Sequence, residues 1–487
     1  MLELDGEGPL YRQLTRALKA AVLDGRLPSG TQLPATRTLA AEMGLSRNTV
    51  RVAYDQLAAE GFFQGRTGAG SFVTMTPVAP ARKKPVGIVG PQSQYTRRIR
   101  AIKDFGIARF HRGLRFNLQN SEPIHDVAAI TAWQRELAHA ALHTPLSYPP
   151  AHGLPLLREA ICDYLLRRRG LSCSPEDVLV VHGTQQAMAL TTQVLVDAGD
   201  TVVLEDPHYW SARHVIHAHG AQIASVPTDS EGLICKAMEK LQPKLIMVTP
   251  SHQYPGGSLM SMARRIELLN YADHRRCWIF EDDYDSEFRY DAQPLAPLSA
   301  LDSAERVIYS GSFSKVLFPS LRLGYMVVPA ALRKDFIATK RLADMGCAAI
   351  EQAAMARYIS GGGFERHLRR VVLICCDRRK ALMEGLTRVG RGYFSIQDSS
   401  AGMHLVAWLP RLSHAQCDQL IAIASKQSLG LHPIAPAYKK PPKIPGLLLG
   451  YAAMSVAEIE AAMKVLDKCM GEWEALQKGG AGRTLRA

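Results

Sequence analysis

The spacing of hydrophobic and polar positions divides the chain into a short head and a long body. In the head, apolar residues recur every three or four positions in three segments, which predicts helices over residues 10–24, 34–43 and 46–60. Residues 62–73 read instead as two short strands around a glycine-rich turn. Three helices followed by a hairpin indicate a winged helix-turn-helix.

Local signals set the bounds of these helices. Pro34 stands at a first-turn position of the second helix, residues 44–46 form a tight turn, and Ser46 can cap the third helix. The apolar positions that predict the buried face of the third helix are Val50, Ala53, Tyr54 and Leu57. The polar side chains at its start are therefore left outside, at the end that enters the major groove of DNA in this motif.

Several exposed head residues suit DNA binding. Arg and Asn can read base edges, and a glycine-rich wing can bring arginine and backbone amides to phosphates. The candidate DNA-binding residues are Ser46, Arg47, Asn48, Thr49, Arg51, Arg66 and Gly68. The three-helix pattern alone fits equally well a small helical domain whose polar residues only contact water, but the hairpin at this distance favours the winged motif.

The head resembles the GntR family of winged regulators. The matching residues are 9–11, 25–34, 37, 39–40, 46–50, 54, 57 and 60–61. The resemblance adds Arg37 to the candidate DNA-binding residues and implies a double-stranded DNA operator as partner. Ala35 and Thr36 depart from the family, which commonly has small hydroxyl residues before this arginine.

The body alternates short β-rich runs with helical patterns. The runs lie at residues 178–181, 201–204, 245–248, 277–280 and 306–309. Strands that are apolar on both faces and separated by helices predict an α/β domain with a mostly parallel sheet covered on both sides. Ligands of such a sheet bind at the carboxyl ends of its strands.

A basic stretch rich in proline and glycine separates the two parts. It has too little apolar surface to order itself, so we predict a linker over residues 76–110 between a head (1–75) and a body (111–475), with a flexible tail over 476–487. Of the net charge of +13, residues 77–115 supply +9, from ten basic residues and one acidic residue. A basic surplus suits a polyanionic partner such as DNA, and this one lies mainly in the linker.

Composition also argues against several classes of protein. No segment approaches the roughly 20 apolar residues of a membrane span, and the N-terminus lacks the features of a signal peptide. We therefore expect a cytoplasmic protein with no membrane partner. Nine scattered cysteines without a C-x-x-C pair predict neither a disulfide framework nor a metal site.

Polar residues at the predicted strand ends supply candidate chemistry. Lys315 follows the strand at 306–309 among small residues, and Arg322 offers a fixed cation for a phosphate group. A carboxylate run follows the strand at 277–280, which aims Asp282 at a buried cation with Tyr284 on the same side. Taken singly, such a lysine is usually a surface residue and such an acidic run a solvated face.

Two further strand ends complete this set. Residues 183–185 open a helix, so their amides form an anion site, although any α/β protein has several such junctions. Tyr209 follows the strand at 201–204 and can cover a ring, although a core tyrosine is the alternative. A lysine, an anion, a phenol, an aromatic lid and a phosphate site are the groups that a pyridoxal enzyme needs.

Together these motifs resemble the fold-type I aminotransferases over residues 115–470. The resemblance implies the pyridoxal phosphate-dependent transferase fold with a smaller C-terminal α+β subdomain, and a Schiff base on Lys315 as the catalytic residue. The cofactor-binding residues that it implies are Tyr148, Gly183, Thr184, Gln185, Tyr209, Asp282, Tyr284, Ser312, Ser314, Lys315 and Arg322. Tyr148 matches a tyrosine that reaches the neighbouring subunit's phosphate, which implies a homodimer.

The order of the modules, with the motifs at 251–257, 281–290 and 364–370, resembles the MocR/GabR subfamily of regulators. That resemblance predicts a transcriptional regulator that responds to an amine, an amino acid or pyridoxal phosphate. Tyr254 stands in Tyr-Pro-Gly-Gly where aminotransferases usually have Asn-Pro-Thr-Gly, and residues 447–451 lack their carboxylate-binding arginine. An active aminotransferase with a DNA-binding head, and a body that binds no cofactor, stay open as alternatives.

Overall fold

The structure, a computed structural model, describes residues 3–66, 68–74, 91–102, 113–120, 122, 124, 126–290, 295–390, 392–397 and 400–484. The chain forms two compact units, Met1–Pro91 and Gln92–Ala487. The elements of the first unit are α1 (Leu10–Leu23), α2 (Thr36–Met43), α3 (Arg47–Ala59), β1 (Phe63–Arg66) and β2 (Gly70–Val73). Strands β1 and β2 pair antiparallel. The predicted winged helix-turn-helix is thus confirmed.

The head packs around the predicted stripe of α3. Val50, Ala53, Tyr54 and Leu57 are all buried, and the Ser46 side chain accepts a hydrogen bond from the Thr49 amide as the predicted cap. The expected role of Pro34 is wrong, because α2 begins only at Thr36. The carbonyl oxygen of Pro34 instead accepts a hydrogen bond from the Tyr54 hydroxyl at 3.0 Å, which anchors the turn before α2.

The second unit alternates helices and strands as predicted. Its helices are α4 (Gln94–Ala101), α5 (Val127–His143), α6 (Pro155–Arg169), α7 (Thr184–Leu195), α8 (Trp210–His219), α9 (Met262–Arg275), α10 (Leu298–Leu301), α11 (Arg333–Asp344), α12 (Ala349–Ser360), α13 (Gly363–Val389), α14 (His414–Lys426) and α15 (Val456–Thr484). Its strands are β3 (Phe116–Asn117), β4 (Val178–Val181), β5 (Thr201–Asp206), β6 (Gln222–Asp229), β7 (Gly232–Leu233), β8 (Leu245–Val248), β9 (Trp278–Asp283), β10 (Val307–Ser312), β11 (Gly324–Val327), β12 (Ser395–Gln397), β13 (His404–Trp408), β14 (Leu429–Gly430) and β15 (Gly446–Gly450).

The central sheet has the strand order β4-β11-β10-β9-β8-β5-β6-β7. Strands β10, β9, β8, β5 and β6 are parallel to their neighbours in that series, whereas β11 runs antiparallel to both β10 and β4. Val180, Ile246, Ile279 and Ile308 are fully buried in its middle. Because the parallel strands end on the same edge, the loops after β4, β5, β9 and β10 converge there.

A smaller antiparallel sheet of β12, β13 and β15 packs with the C-terminal helices. It forms the C-terminal α+β subdomain that was expected. Among the described residues, no helix combines the length and apolar character needed to cross a membrane.

Two segments differ from the expected organisation. Residues 94–101 of the expected linker form α4, whose Arg98 donates to the carbonyl oxygens of Ala218 and His219 at the end of α8. At the C-terminus, α15 continues to Thr484, through most of the expected flexible tail, because an established helix extends at little cost. Of the remaining expected linker, residues 91–93 and 102 are described and flank α4, whereas residues 76–90 and 103–110 lie outside the described residues.

Candidate functional site

A cavity of about 560 Å³ lies where the loops after the parallel strands meet. Lys315 lies in its lining, three residues beyond the end of β10. The predicted cofactor-binding residues that line the cavity are Thr184, Gln185, Tyr209, Asp282, Tyr284, Ser312, Ser314, Lys315 and Arg322. The sequence motifs are therefore brought together although they are far apart in the chain.

The start of helix α7 and the Arg322 side chain together form a candidate anion site in the cavity. Helix α7 begins there at Thr184, and its first turn has no side-chain cap, so its amides remain available. Gly183 has a positive φ of 80°, which favours glycine. The position where a side chain would begin faces the Arg322 guanidinium. Arg322 is held in place by donating to the His182 carbonyl oxygen at 2.5 Å.

The middle of the cavity holds an acid and an amine with shifted ionisation. Burial raises the pKa of Asp282 to about 7, although a 3.3 Å hydrogen bond from the Thr184 hydroxyl opposes that shift. Burial lowers the pKa of Lys315 to about 8, against the opposing effect of nearby Asp285 and Asp282. At neutral pH the carboxylate therefore needs a cationic partner, and the amine is close to its nucleophilic neutral form.

The acidic run that ends β9 and continues just beyond it alternates between the two faces of the strand. Asp282 and Tyr284 face the cavity, whereas Glu281 accepts a hydrogen bond from the Leu298 amide at 2.8 Å. Asp283 forms a buried ion pair with Arg169 at 2.9 Å. The run is therefore not a solvated face, and the two-residue spacing predicted for Asp282 and Tyr284 is what the strand provides.

A buried histidine cluster, which the sequence did not reveal, supports Tyr284. His252 Nδ1 lies 3.0 Å from the Tyr284 hydroxyl and 2.9 Å from Asp285 Oδ2. A ring nitrogen that donates its hydrogen to a carboxylate cannot also accept one from a phenol, so the Tyr284 hydroxyl keeps its hydrogen for an acceptor in the cavity. His404 completes the cluster. A ring nitrogen of His404, one of His252 and a carboxylate oxygen of Asp285 lie within 4.8 Å of one another.

The walls contain further residues that sequence reasoning missed. The Tyr209 and Tyr254 rings meet edge to face with centroids 5.5 Å apart. Glu122 and residues 318–320 complete the lining. Tyr254 was visible only as a departure from the aminotransferase motif, and proximity to Lys315 in the chain was the only available signal for residues 318–320. No sequence signal pointed to Glu122, because it reaches the cavity only through the tertiary fold.

Tyr148 lies apart from the other predicted residues. It is 86% exposed and is absent from the described lining of the cavity. The resemblance implied a role for Tyr148 at the neighbouring subunit's phosphate and not in its own chain, and that role stays a prediction. Such exposure suits only the contact with a neighbouring subunit that the resemblance implied.

The candidate DNA-binding residues lie on the outside of the head. The exposed ones are Arg37, Ser46, Arg47, Asn48, Arg51, Arg66 and Gly68, while Thr49 is half-buried. The Arg51 guanidinium donates to Asn48 Oδ1 at 2.9 Å, and the Arg66 guanidinium lies 4.8 Å from the centre of the Phe72 ring. Ser46 and Thr49 are hydrogen-bonded to each other in the cap, at 2.8 Å between their hydroxyls.

Family comparisons divide the chain in the same way as the fold. Residues 10–73 match the family described as bacterial regulatory proteins, gntR family. Residues 116–466 match the family described as aminotransferase class I and II. The second match covers well over half of the chain.

Individual relatives match over both parts. The chain is 35% identical to the probable rhizopine catabolism regulatory protein MocR of Rhizobium meliloti, over 99% of this chain and 97% of that protein. It is 31% identical to the pyridoxine biosynthesis transcriptional regulator PdxR of Corynebacterium glutamicum, over 77% and 78% of the two chains.

A solved structure shares the fold of the body. The α-aminoadipate aminotransferase LysN of Thermus thermophilus matches 79% of this chain and 98% of its own, with a TM-score of 0.70 and 25% identity. The chain belongs to the MocR-type HTH transcriptional regulators, in which a GntR-family DNA-binding head is joined to an aminotransferase class I and II body.

Proposed function

We propose that this regulator binds pyridoxal 5'-phosphate covalently through Lys315, and that an amine, an amino acid or the cofactor itself is its effector. The observation that carries the proposal is that a lysine with a lowered pKa, a buried carboxylate and a candidate anion site all line one cavity. When bound, the cofactor supplies an aldehyde carbon that either the Lys315 amine or an incoming amine can attack.

The residues of the cavity fit this cofactor. Asp282 offers the anion that a protonated pyridine nitrogen needs, and the Tyr284 hydroxyl retains a hydrogen for a phenolic oxygen. The amides that open α7 and the Arg322 guanidinium can hold a phosphate group. Tyr209 lines the same cavity and offers an aromatic ring to cover the cofactor.

Lys315 would hold the cofactor when no effector is present, and the cofactor would supply the exchange of that lysine for an effector amine. The freed lysine regains an ionisable amine in a site where burial disfavours its charge. Regulation follows only if two arrangements of the protein bind the effector unequally, so that the effector shifts the balance between them. The GntR-type head then carries that shift to an operator in double-stranded DNA in the cytoplasm.

We also propose that the protein acts as a homodimer. Leu142, Leu146 and Tyr148 expose 82%, 98% and 86% of their surface at the end of α5 and in the loop after it. Exposed apolar side chains that follow one another in this way are typical of an interaction surface. A second copy would cover them and bring Tyr148 to the partner's phosphate site.

Replacement of the lysine tests the function. Lys315→Ala should abolish the visible absorption band of protein-bound pyridoxal phosphate and the effect of amines on operator binding, while circular dichroism shows an unchanged fold. Lys334→Ala, at an exposed lysine of α11, is the matched control and should keep both properties. Unchanged regulation in Lys315→Ala would contradict the proposal.

The same preparations separate the two alternatives. A steady conversion of an amino donor and a keto acid would favour an active aminotransferase with a DNA-binding head. Protein that stays colourless in excess pyridoxal phosphate would favour a body without cofactor.

A further inference from the structure

The described lining of the cavity contains one charged side chain that the cofactor would not use. The proposed function uses Lys315, Asp282 and Arg322 for the cofactor. Among the described residues that line the cavity, the remaining charged side chain is Glu122. Its carboxylate has no hydrogen-bond or ion-pair partner in the described parts of the chain, and its charge acts on Lys315. A negative group thus lines the same cavity as the reacting amine.

Apart from Lys315 and Arg322, which the proposed function assigns to the cofactor, no described residue that lines the cavity carries a positive charge. Where an aminotransferase has its carboxylate-binding arginine, the fold places the apolar strand β15 and then Tyr451, which is fully buried and donates to the Gly402 carbonyl oxygen at 2.5 Å. His404 is not a cation either, because burial lowers its pKa well below the usual range. A ligand carboxylate placed here would lose water, gain no cationic partner and repel Glu122.

We infer that the effector is a primary amine whose far end carries a second positive charge and no carboxylate, and that Glu122 selects it. This inference rests on the proposed function, because the first amine must reach the site of Lys315. The near amine would take the place of the Lys315 amine, which leaves with the two hydrogens that the effector amine gives up, and the far ammonium pairs with the Glu122 carboxylate. A partly buried charge pair of this kind discriminates against the reversed charge, by attraction in one case and repulsion in the other.

Three probes of the same carbon chain isolate the charge at the far end. They are 1,4-diaminobutane, 4-aminobutanoate and 1-aminobutane, whose far ends are positive, negative and neutral. Each is titrated into full-length protein loaded with pyridoxal phosphate while the visible absorption band is followed. We expect the diamine to reach half-saturation at a concentration at least about tenfold below that of 4-aminobutanoate, with 1-aminobutane in between.

Glu122→Gln then removes the charge while keeping the size of the side chain. In this variant the ratio between the half-saturating concentrations of the diamine and 1-aminobutane should fall to about one, although the lost charge also lowers the pKa of Lys315 and so shifts the response to all three amines. Glu384→Gln removes an exposed carboxylate on α13 and should leave all three titrations unchanged.

The outcomes distinguish this inference from the proposed function. If the band forms but 4-aminobutanoate binds as well as the diamine, or the preference survives in Glu122→Gln, the inference is wrong and the function stands. If the band forms and no amine changes it, the inference is also wrong, and the cofactor itself remains as the effector. If wild-type protein never develops the band, the proposed function fails first.

Discussion

Lys315 illustrates how the fold changes the chemistry of a single side chain. In water a lysine amine is protonated at neutral pH and does not attack carbonyl carbons. Here burial disfavours the charged form more than the neighbouring carboxylates restore it, so the pKa falls to about 8. The same burial acts in the opposite sense on Asp282 and raises its pKa to about 7. Both pKa values thus lie near neutral pH, so a cationic partner would complete the ionisation of Asp282, and part of Lys315 is already in its neutral, nucleophilic form.

The pKa of Lys315 leads to a prediction about rates. The neutral amine dominates above its pKa, so the rate of covalent attachment of pyridoxal phosphate should rise about tenfold per pH unit below pH 8 and level off above it. Stopped-flow absorbance between pH 6 and pH 10 in apo-protein measures this rate. A free lysine derivative is the control and should continue to rise to about pH 10.4. A protein rate that also rises beyond pH 9 would contradict the shift.

Only some site residues were predictable from the sequence. Lys315, Asp282, Tyr284 and Arg322 could be found because each directly follows an apolar strand or lies close to that position, and parallel strands bring their ends together. His404 lies on β13 of the smaller subdomain, so its approach to His252 depends on how two subdomains pack. Nothing local in the sequence encodes that contact, and the same holds for Glu122.

In helix α3, we expect different residues to stabilise the head and to recognise DNA. Ser46 caps the helix, so Ser46→Ala should lower the free energy of unfolding of the head by about 1 kcal/mol. Arg47 and Asn48 are exposed and cap nothing, so Arg47→Ala or Asn48→Ala should change that stability by less than about 0.5 kcal/mol. Thermal unfolding measures all three variants.

The same two exposed residues should matter when DNA is present. If they read base edges, each substitution should weaken operator binding by about 1–3 kcal/mol and relax the preference at one base position. Fluorescence anisotropy with the operator and with single-base variants checks this. Equal losses on operator and unrelated DNA would instead indicate phosphate contacts.

Helix α4 depends on a contact at the far end of α8. The Arg98 guanidinium caps two terminal carbonyl oxygens of α8, and Gly220 leaves room for it, since a β-carbon there would lie 2.7 Å from Arg98 Cζ. Gly220→Ala should therefore displace Arg98 and speed amide hydrogen exchange in α4 by about tenfold, a loss of about 1.4 kcal/mol. Arg98→Ala should do the same, whereas Arg100→Ala, whose side chain pairs with Gln92, should not.

This contact explains where the prediction from composition failed. Residues 94–101 contain few apolar side chains, and the segment read as a linker for that reason. It becomes helical through Ser93, which caps it, and through Arg98, whose partners lie more than a hundred residues away. The strands of the central sheet were predictable because their buried runs are continuous in sequence. The order of α4 depends on a contact with a helix that is distant in the chain, and such a contact leaves no pattern in the local sequence.

At the scale of the whole molecule, the exposed leucines at the end of α5 and in the loop after it suggest where two copies of the chain meet. Leu146 is 98% exposed in the single chain, so Leu146→Glu should leave the fold of the protomer unchanged. If the residue lies in a dimer interface, the buried glutamate should shift sedimentation toward the monomer at micromolar concentrations. Leu342→Glu, at a residue 90% exposed on α11, tests whether the effect is specific to this surface. A dimer that persists in Leu146→Glu would place the interface elsewhere.

The distribution of charge makes a last prediction about DNA affinity. The head is almost neutral, with eight basic and seven acidic residues in positions 1–76, whereas residues 77–115 carry ten basic residues and one acidic residue. If the linker contacts phosphates, replacing Arg82, Lys83 and Lys84 with glutamine should reduce the slope of log affinity against log salt by up to about three units per protomer. These residues lie outside the described parts of the chain.

A control of equal charge makes this test specific. Glutamine at Lys334, Arg341 and Lys464 removes three exposed charges from the body and should leave the slope unchanged. Because phosphate contacts do not read sequence, the linker variant should lose affinity equally for operator and unrelated DNA. Both affinities are measured from about 50 to about 300 mM salt, a range around the salt concentration at which the Debye length is about 10 Å. If its slope equals that of wild type, the linker is a spacer, and the head alone must supply the phosphate contacts despite its near-neutral charge.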